Sequence, residues 1–191
     1  MPQAPLQSID RRIVYETPWF HVERHEVEQK SDGHRFTYSY LASSPSVMVV
    51  AVTSRGEIVL IRQFRFPVRE YAFELPGGGS GKQSPRDAAA RELREEAGFT
   101  AGRLTELGSF VVYCGLSDEV CHVFLAEDLQ SGDQALDQTE HIAVHTVSYG
   151  ELKRMISSGE FRDGMGLAAL QIAMPHLESL ASAGVDVPLV D

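Results

Sequence analysis

Glu92, Glu95 and Glu96 stand at i, i+3 and i+4, a spacing that puts three carboxylates on one face of a helix. Like charges this close repel, and the repulsion calls for a positive partner. Hard divalent cations take oxygen ligands, and Mg²⁺ in particular is held by a few carboxylates together with substrate phosphates. The same three residues also suit a solvated acidic face laced with Arg91 and Arg94, and taken alone they favour that reading; their context changes the weighting.

The elements that must position these acids are legible on either side of them. Ser84 is a fitting N-cap, Pro85 a first helical residue, and Asp87 completes an S-x-x-D capping box. Gly98 is the natural stop. Ala89, Leu93 and Ala97 fall on a neighbouring face, where they can pack the helix on a core. Upstream lies Gly77-Gly78-Gly79, a stretch where the absence of Cβ atoms lets other groups approach the backbone closely.

The run Arg91 to Phe99, R-E-L-R-E-E-A-G-F, with a glycine loop upstream at the matching distance, resembles the signature of the Nudix hydrolases. That signature is G-x5-E-x7-R-E-U-x-E-E-x-G-U, where U is a bulky apolar residue. The resemblance implies an α/β fold, the Nudix α/β/α sandwich with a mixed sheet. It implies that Glu92, Glu95 and Glu96, with Gly77, hold Mg²⁺ or in its place Mn²⁺. It also makes Glu96 catalytic, and gives Arg91 the task of supporting the site. One position departs from the pattern: the first glutamate of the signature is replaced by Gln83, which can hydrogen-bond Arg91 but cannot neutralise it.

The similarity extends beyond this box. VLIRQFRFPV, residues 59–68, resembles a strand of the ADP-ribose and nucleotide-sugar pyrophosphatase branch. By that resemblance Arg65 faces the substrate diphosphate, which a guanidinium grips bidentately. Glu74 and Gly78 lie near the substrate, and Arg62 and Arg69 are surface charges. Residues 12–42 read as short strands, with Phe36, Tyr38 and Tyr40 alternating after a Ser31-Asp32-Gly33 turn. They resemble the branch's N-terminal antiparallel β extension, here residues 1–45, which pairs with a second subunit and contributes to the substrate site. Trp19, with Tyr38 or Phe36, would then stack a nucleobase; half-buried strand aromatics are the other reading. Residues 46–191 form the Nudix domain. Cys114 stands in the Gly115-Leu116-Ser117-Asp118-Glu119 region where the branch usually has proline. The polar loop Ser131 to Glu140 has the character of a mobile functional loop, and the resemblance makes Glu140 its general base, with Asp137 second.

The rest of the chain sets bounds. Its 191 residues suit one domain with a small appendage, and 43% hydrophobic with 23% charged residues is ordinary for a soluble protein. A net charge of −10 disfavours non-specific contact with a nucleic-acid backbone. No apolar run reaches transmembrane length, and no basic-then-apolar start marks a secretory leader. Cys114 and Cys121 are expected as buried thiols in a reducing cytoplasm. Strands are expected at Val47–Thr53, Glu57–Phe64, Leu104–Val112, Val120–Ala126 and His141–Val147. A helix is capped by Ser148 and Glu151 and stopped at Gly159, and a second spans Met165 to Leu180 with an interruption at Pro175.

Together these readings predict a Mg²⁺-dependent, homodimeric enzyme that hydrolyses the diphosphate linkage of ADP-ribose or a related nucleoside diphosphate sugar. The products would be a nucleoside monophosphate and a sugar phosphate. Three alternatives stay open. One is a Nudix hydrolase of another nucleoside diphosphate derivative or a triphosphate; the second, motivated by Gln83, is a weakly active nucleotide-binding module. The third is a purely structural or interaction protein, which gives no reason for a glycine loop followed by three clustered acids.

Overall fold

The computed structural model describes residues 3–182. The chain divides into two compact units, one holding the residues up to Pro45 with Val111–Val120, the other Ser46–Phe110 and the chain from Cys121.

The first unit is an antiparallel sheet of β1 (Leu6–Glu16), β2 (Phe20–Gln29) and β3 (Arg35–Ser43), in that spatial order. Gly33, at φ 72°, donates its N–H to Gln29 and makes the β2–β3 turn that the sequence suggests. Strand β1 is exposed along its whole length and carries two register shifts. One carboxylate ties the sheet together. Glu23 of β2, only 2% exposed, accepts hydrogen bonds from Arg11 of β1, from His21 and His25 at 2.9 Å each, and from Tyr40 of β3 at 3.0 Å. Burial alone would push this carboxyl up, but its four donors outweigh burial and hold it at about 2. The segment Val111–Val120 joins this unit through Leu41 N–H to Leu116 at 2.8 Å and the Tyr38 hydroxyl to Gly115 at 2.9 Å. Cys114 sits in the turn of that segment and is exposed, whereas Cys121 is buried in a strand. The expectation of two buried thiols therefore holds for one.

The second unit contains the strands β4 (Ser46–Ala51), β5 (Ile58–Arg65), β6 (Glu70–Glu74), β7 (Gly77–Gly79), β8 (Phe99–Val111), β9 (Val120–Ser131) and β10 (Ile142–Val147). Its helices are α1 (Pro85–Ala97), α2 (Tyr149–Ser158) and α3 (Gly164–Ser182). A mixed sheet runs β7-β4-β9-β8, with β4 parallel to β9 and antiparallel to β7; a second, antiparallel sheet runs β10-β5-β6. β4 is apolar and buried throughout, as a strand covered on both faces must be. α1 packs on β4, β7, β5 and β10, and α3 packs on β4. Val47, Val49, Val59, Ile61, Leu93 and Phe124 form the centre of the core between α1 and the sheets. This is the sandwich expected from the sequence.

Three details differ from expectation. The glycine loop is a short strand, β7, because its backbone pairs with Ser46, Val47 and Met48. β6 had no periodicity to announce it. Pro175 does not interrupt α3, because Ala173 and Leu177, buried on either side of it, hold the helix in place despite the missing N–H. Arg62 is exposed, as expected of a surface charge, and its guanidinium lies over the Tyr71 and Phe73 rings at 5.0 and 5.7 Å. No helix among the described residues is long and apolar enough to cross a membrane.

Candidate active site

Local chemistry fixes the start and end of α1. Ser84, in extended conformation, accepts the Asp87 N–H, and Pro85 occupies the first turn. Gly98 closes the helix in the left-handed region at φ 70°, its N–H directed at the Arg94 and Leu93 carbonyls. Ala88, Ala89, Leu93 and Ala97 are buried. That registration turns the acids toward β7.

Glu96 is 5% exposed and accepts the Gly77 N–H at 2.8 Å. Burial pushes its carboxyl up to about 8; the Gly77 bond opposes the rise, and the charges of Glu92 and Glu140 add to it. Glu92 is pushed up as well, first by burial, with Arg91 opposing and Glu95 and Glu140 contributing. The glycines bring β7 onto these acids. A Cβ on Gly78 would strike the Glu92 carboxylate, and one on Gly77 would strike the Val47 carbonyl. Only glycine permits this approach.

Arg91 organises the outer side of the cluster. Its guanidinium donates to Glu92 and Glu95 at 2.9 Å each, to the Gly79 carbonyl at 3.0 Å, and through Nε to Gln83 at 2.8 Å. Gln83 therefore makes the hydrogen bond to Arg91 that the sequence allows. Glu95 is also bridged to Arg94 at 3.2 Å.

Across β5 and β6, Arg65 meets Glu74 through two parallel bonds of 2.8 and 2.6 Å. The buried Gln63 donates a third at 3.1 Å. Arg65 is close enough for its charge to act on Glu96. Asp163, just ahead of α3, accepts the Gly166 N–H at 2.6 Å. Burial pushes its carboxyl up against that bond, and the Glu74 charge pushes further. Gln63 and Asp163 are members of this cluster that the sequence does not reveal. The cap chemistry of Asp163 was readable, but its proximity to Glu74 comes from tertiary packing alone.

The loop ending in Glu140 forms a closed turn. The Glu140 carboxylate accepts the Asp137 N–H at 2.9 Å, while the Glu140 N–H donates to the Asp137 carbonyl at 3.0 Å. Its charge acts on both Glu92 and Glu96. Glu92, Glu95, Glu96, Glu140, Gly77, Gly78, Arg91, Gln83, Arg65 and Glu74 are thus brought together in one unit. Trp19, 79% exposed, and Tyr38, 42% exposed, belong to the other.

The donor set fits a hard divalent cation: every candidate atom is oxygen, and Glu92 and Glu96 are both pushed up by burial and by neighbouring negative charge. Among the described residues, no three His, Cys, Asp or Glu side chains are already gathered in ligand geometry. Arg91 holds Glu92 and Glu95 toward itself, while Glu96 rests on Gly77. A cation must compete with that guanidinium.

The NUDIX domain pattern matches residues 42–164. The chain is 37% identical over 129 residues to an ADP-ribose pyrophosphatase of Bacillus subtilis, covering 66% of this chain and 70% of that protein. It is 22% identical over 184 residues to a GDP-mannose pyrophosphatase of Pectobacterium atrosepticum, covering 90% and 95%. A solved structure described as an ADP compounds hydrolase superposes with a TM-score of 0.80 at 22% identity, covering 94% of this chain and 97% of that one.

Proposed function

The chain belongs to the Nudix family, and from that premise we propose that it is a pyrophosphohydrolase acting on the diphosphate linkage of ADP-ribose or a related nucleoside diphosphate sugar. The observation that carries the proposal is the seating of Glu96 on the Gly77 N–H, with Glu92 against Gly78 and Arg65 within electrostatic reach. This arrangement matches what a diphosphate needs: a cradle of acids for a cation and one guanidinium for the phosphate oxygens. The pyrophosphatase relatives support the nucleotide-sugar substrate.

Glu92, Glu95 and Glu96, with the Gly77 carbonyl, would hold the divalent ion, Mg²⁺ or in its place Mn²⁺. When bound, the ion supplies Lewis-acid polarisation of the diphosphate. The chain's own residues do the rest. Arg65 presents the edge turned away from Glu74 to the phosphate oxygens. Arg91 and Gln83 hold the acids in place. Glu140 takes the proton of the attacking water through Oε1, the Asp137 N–H being on Oε2.

The remaining features are part of the same reading. Residues 1–45 serve as a β extension through which two copies pair, and the fully exposed β1 supports this. Trp19 and Tyr38 offer flat faces to a nucleobase. The net charge of −10 suits a small-molecule substrate rather than a nucleic acid, and two cysteines with no disulfide between them suit a cytoplasmic setting.

The deciding experiment is a substrate panel of ADP-ribose, GDP-mannose, other nucleotide sugars and nucleoside triphosphates, run with Mg²⁺ and with Mn²⁺. Cleavage of a nucleotide sugar to a nucleoside monophosphate is expected, and Glu96→Gln is expected to abolish it without loss of fold. Turnover by Glu96→Gln at the wild-type rate would reject the assigned site.

A further inference from the structure

The last carbonyls of a helix have no partner within it, and at the end of α1 they are taken by the loop that carries Glu140. The Gly132 N–H donates to Gly98 at 2.7 Å, and the Ala135 N–H donates to Glu95 at 3.0 Å. Between them, the Gln134 side-chain amide donates to the Glu96 carbonyl at 2.5 Å. An acceptor-only carbonyl requires the Nε2 end of the amide here. Gly98 makes the approach feasible, since a Cβ there would meet the Gly132 carbonyl at 2.8 Å. Leu136 then packs on the same core as Ile142, the first residue of β10. The loop thus has a fixed part, 132–136, and a short span, 137–141, that carries Glu140 between two packed residues.

The carbonyls gripped in this way belong to Glu95 and Glu96, whose side chains are candidate cation ligands. We infer that Gln134 is a positioning residue for turnover: by holding the Glu96 carbonyl, its amide sets where Glu140 stands relative to the carboxylates of α1. The inference rests on the reading of Glu140 as the base. Gln134 is exposed, and its amide bonds the backbone carbonyl of Glu96 rather than the carboxylate of that residue. It acts through backbone geometry, and a small displacement of a reacting group is enough to slow catalysis.

The test compares the full chain with Gln134→Ala, Gln134→Glu, Glu140→Gln and the Gln134→Ala/Glu140→Gln double variant, using ADP-ribose and Mn²⁺. Gln134→Ala and Gln134→Glu are each expected to lower kcat about tenfold and leave KM within about twofold, as misplacement of a reacting group would. Exchange of the Ala135 amide should quicken in both by about tenfold in the absence of metal and substrate, while Tm moves by no more than about 2 °C. In the Glu140→Gln background, Gln134→Ala should cost less than about a further twofold, since residues acting as a unit are non-additive. An equal loss in both backgrounds would overturn the inference, and so would faster Ala135 exchange with kcat unchanged. Glu140→Gln alone turning over at the wild-type rate would remove the base assignment and the inference with it, a result visible without touching Gln134.

Discussion

Arg65 and Glu74 meet edge to edge, Nε to Oε1 at 2.8 Å and Nη2 to Oε2 at 2.6 Å. With Gln63 on the same carboxylate, Glu74 is held within the protein, and its influence on a substrate passes through the aim of Arg65. Glu74→Gln should raise KM for ADP-ribose more than it lowers kcat. It should also destabilise the chain by about 2 kcal/mol, less than for a fully buried pair because half of Arg65 meets solvent. Urea denaturation and steady-state kinetics measure the two effects. An unchanged KM would show that the aim of Arg65 does not matter.

Gly77→Ala and Gly78→Ala separate backbone from side chain. At Gly77 the new methyl meets the Val47 carbonyl, which the buried β4 holds rigidly; a stability loss of about 2 kcal/mol is expected. At Gly78 it meets the end of the Glu92 side chain, which can swing aside. There the fold should persist while the metal concentration for half-maximal activity rises about tenfold, by displacement of one ligand. Thermal melts and metal titrations distinguish the two.

Among the described residues, the acids that Arg91 hydrogen-bonds beside Gln83 are Glu92 and Glu95. Gln83→Glu gives the guanidinium a charged partner outside the cluster and weakens its hold on those two. The Mn²⁺ needed for half-maximal turnover should fall about threefold, a gain of the size of one charge-assisted hydrogen bond shared among acceptors. A rise would mean that added negative charge, rather than competition for Arg91, controls the site.

Acid should loosen the N-terminal sheet first. The Glu23 carboxyl is lowered in the folded chain from 4.5 to about 2, so the unfolded chain binds the extra proton. The stability this group contributes is present above about pH 4.5 and is lost as pH falls toward about 2. Glu23→Gln should flatten that part of the stability profile. Hydrogen exchange of β1 and β2 amides between pH 3 and pH 6 reads it; an identical slope in the variant would assign the effect elsewhere.

The box helix was readable because its signals are local. Ser84, Pro85, Asp87 and Gly98 act within a turn or two, and the spacing of Glu92, Glu95 and Glu96 is itself helical geometry. The apolar run of β4 was readable for the same reason. What could not be read arises between elements. Nothing near Gly77 in the chain says that Val47 sits across from it, and nothing near Asp163 says that Glu74 is close by. Cys114 is exposed because its apolar neighbourhood in sequence becomes a turn in space. Pro175 stays within α3 because packing on both sides outweighs one lost hydrogen bond.

One helix end serves two masters here: the last turn of α1 points side chains at the cradle and carbonyls at the loop. Inserting a residue between Leu93 and Glu95 would turn everything beyond it by about 100° and move it about 1.5 Å along the axis. Glu95 and Glu96 would leave the face they share with Glu92, and the loop its moorings, in the same stroke. This turn is locked in phase by what it holds on both sides, and an alanine inserted there should produce a protein that folds around an idle centre.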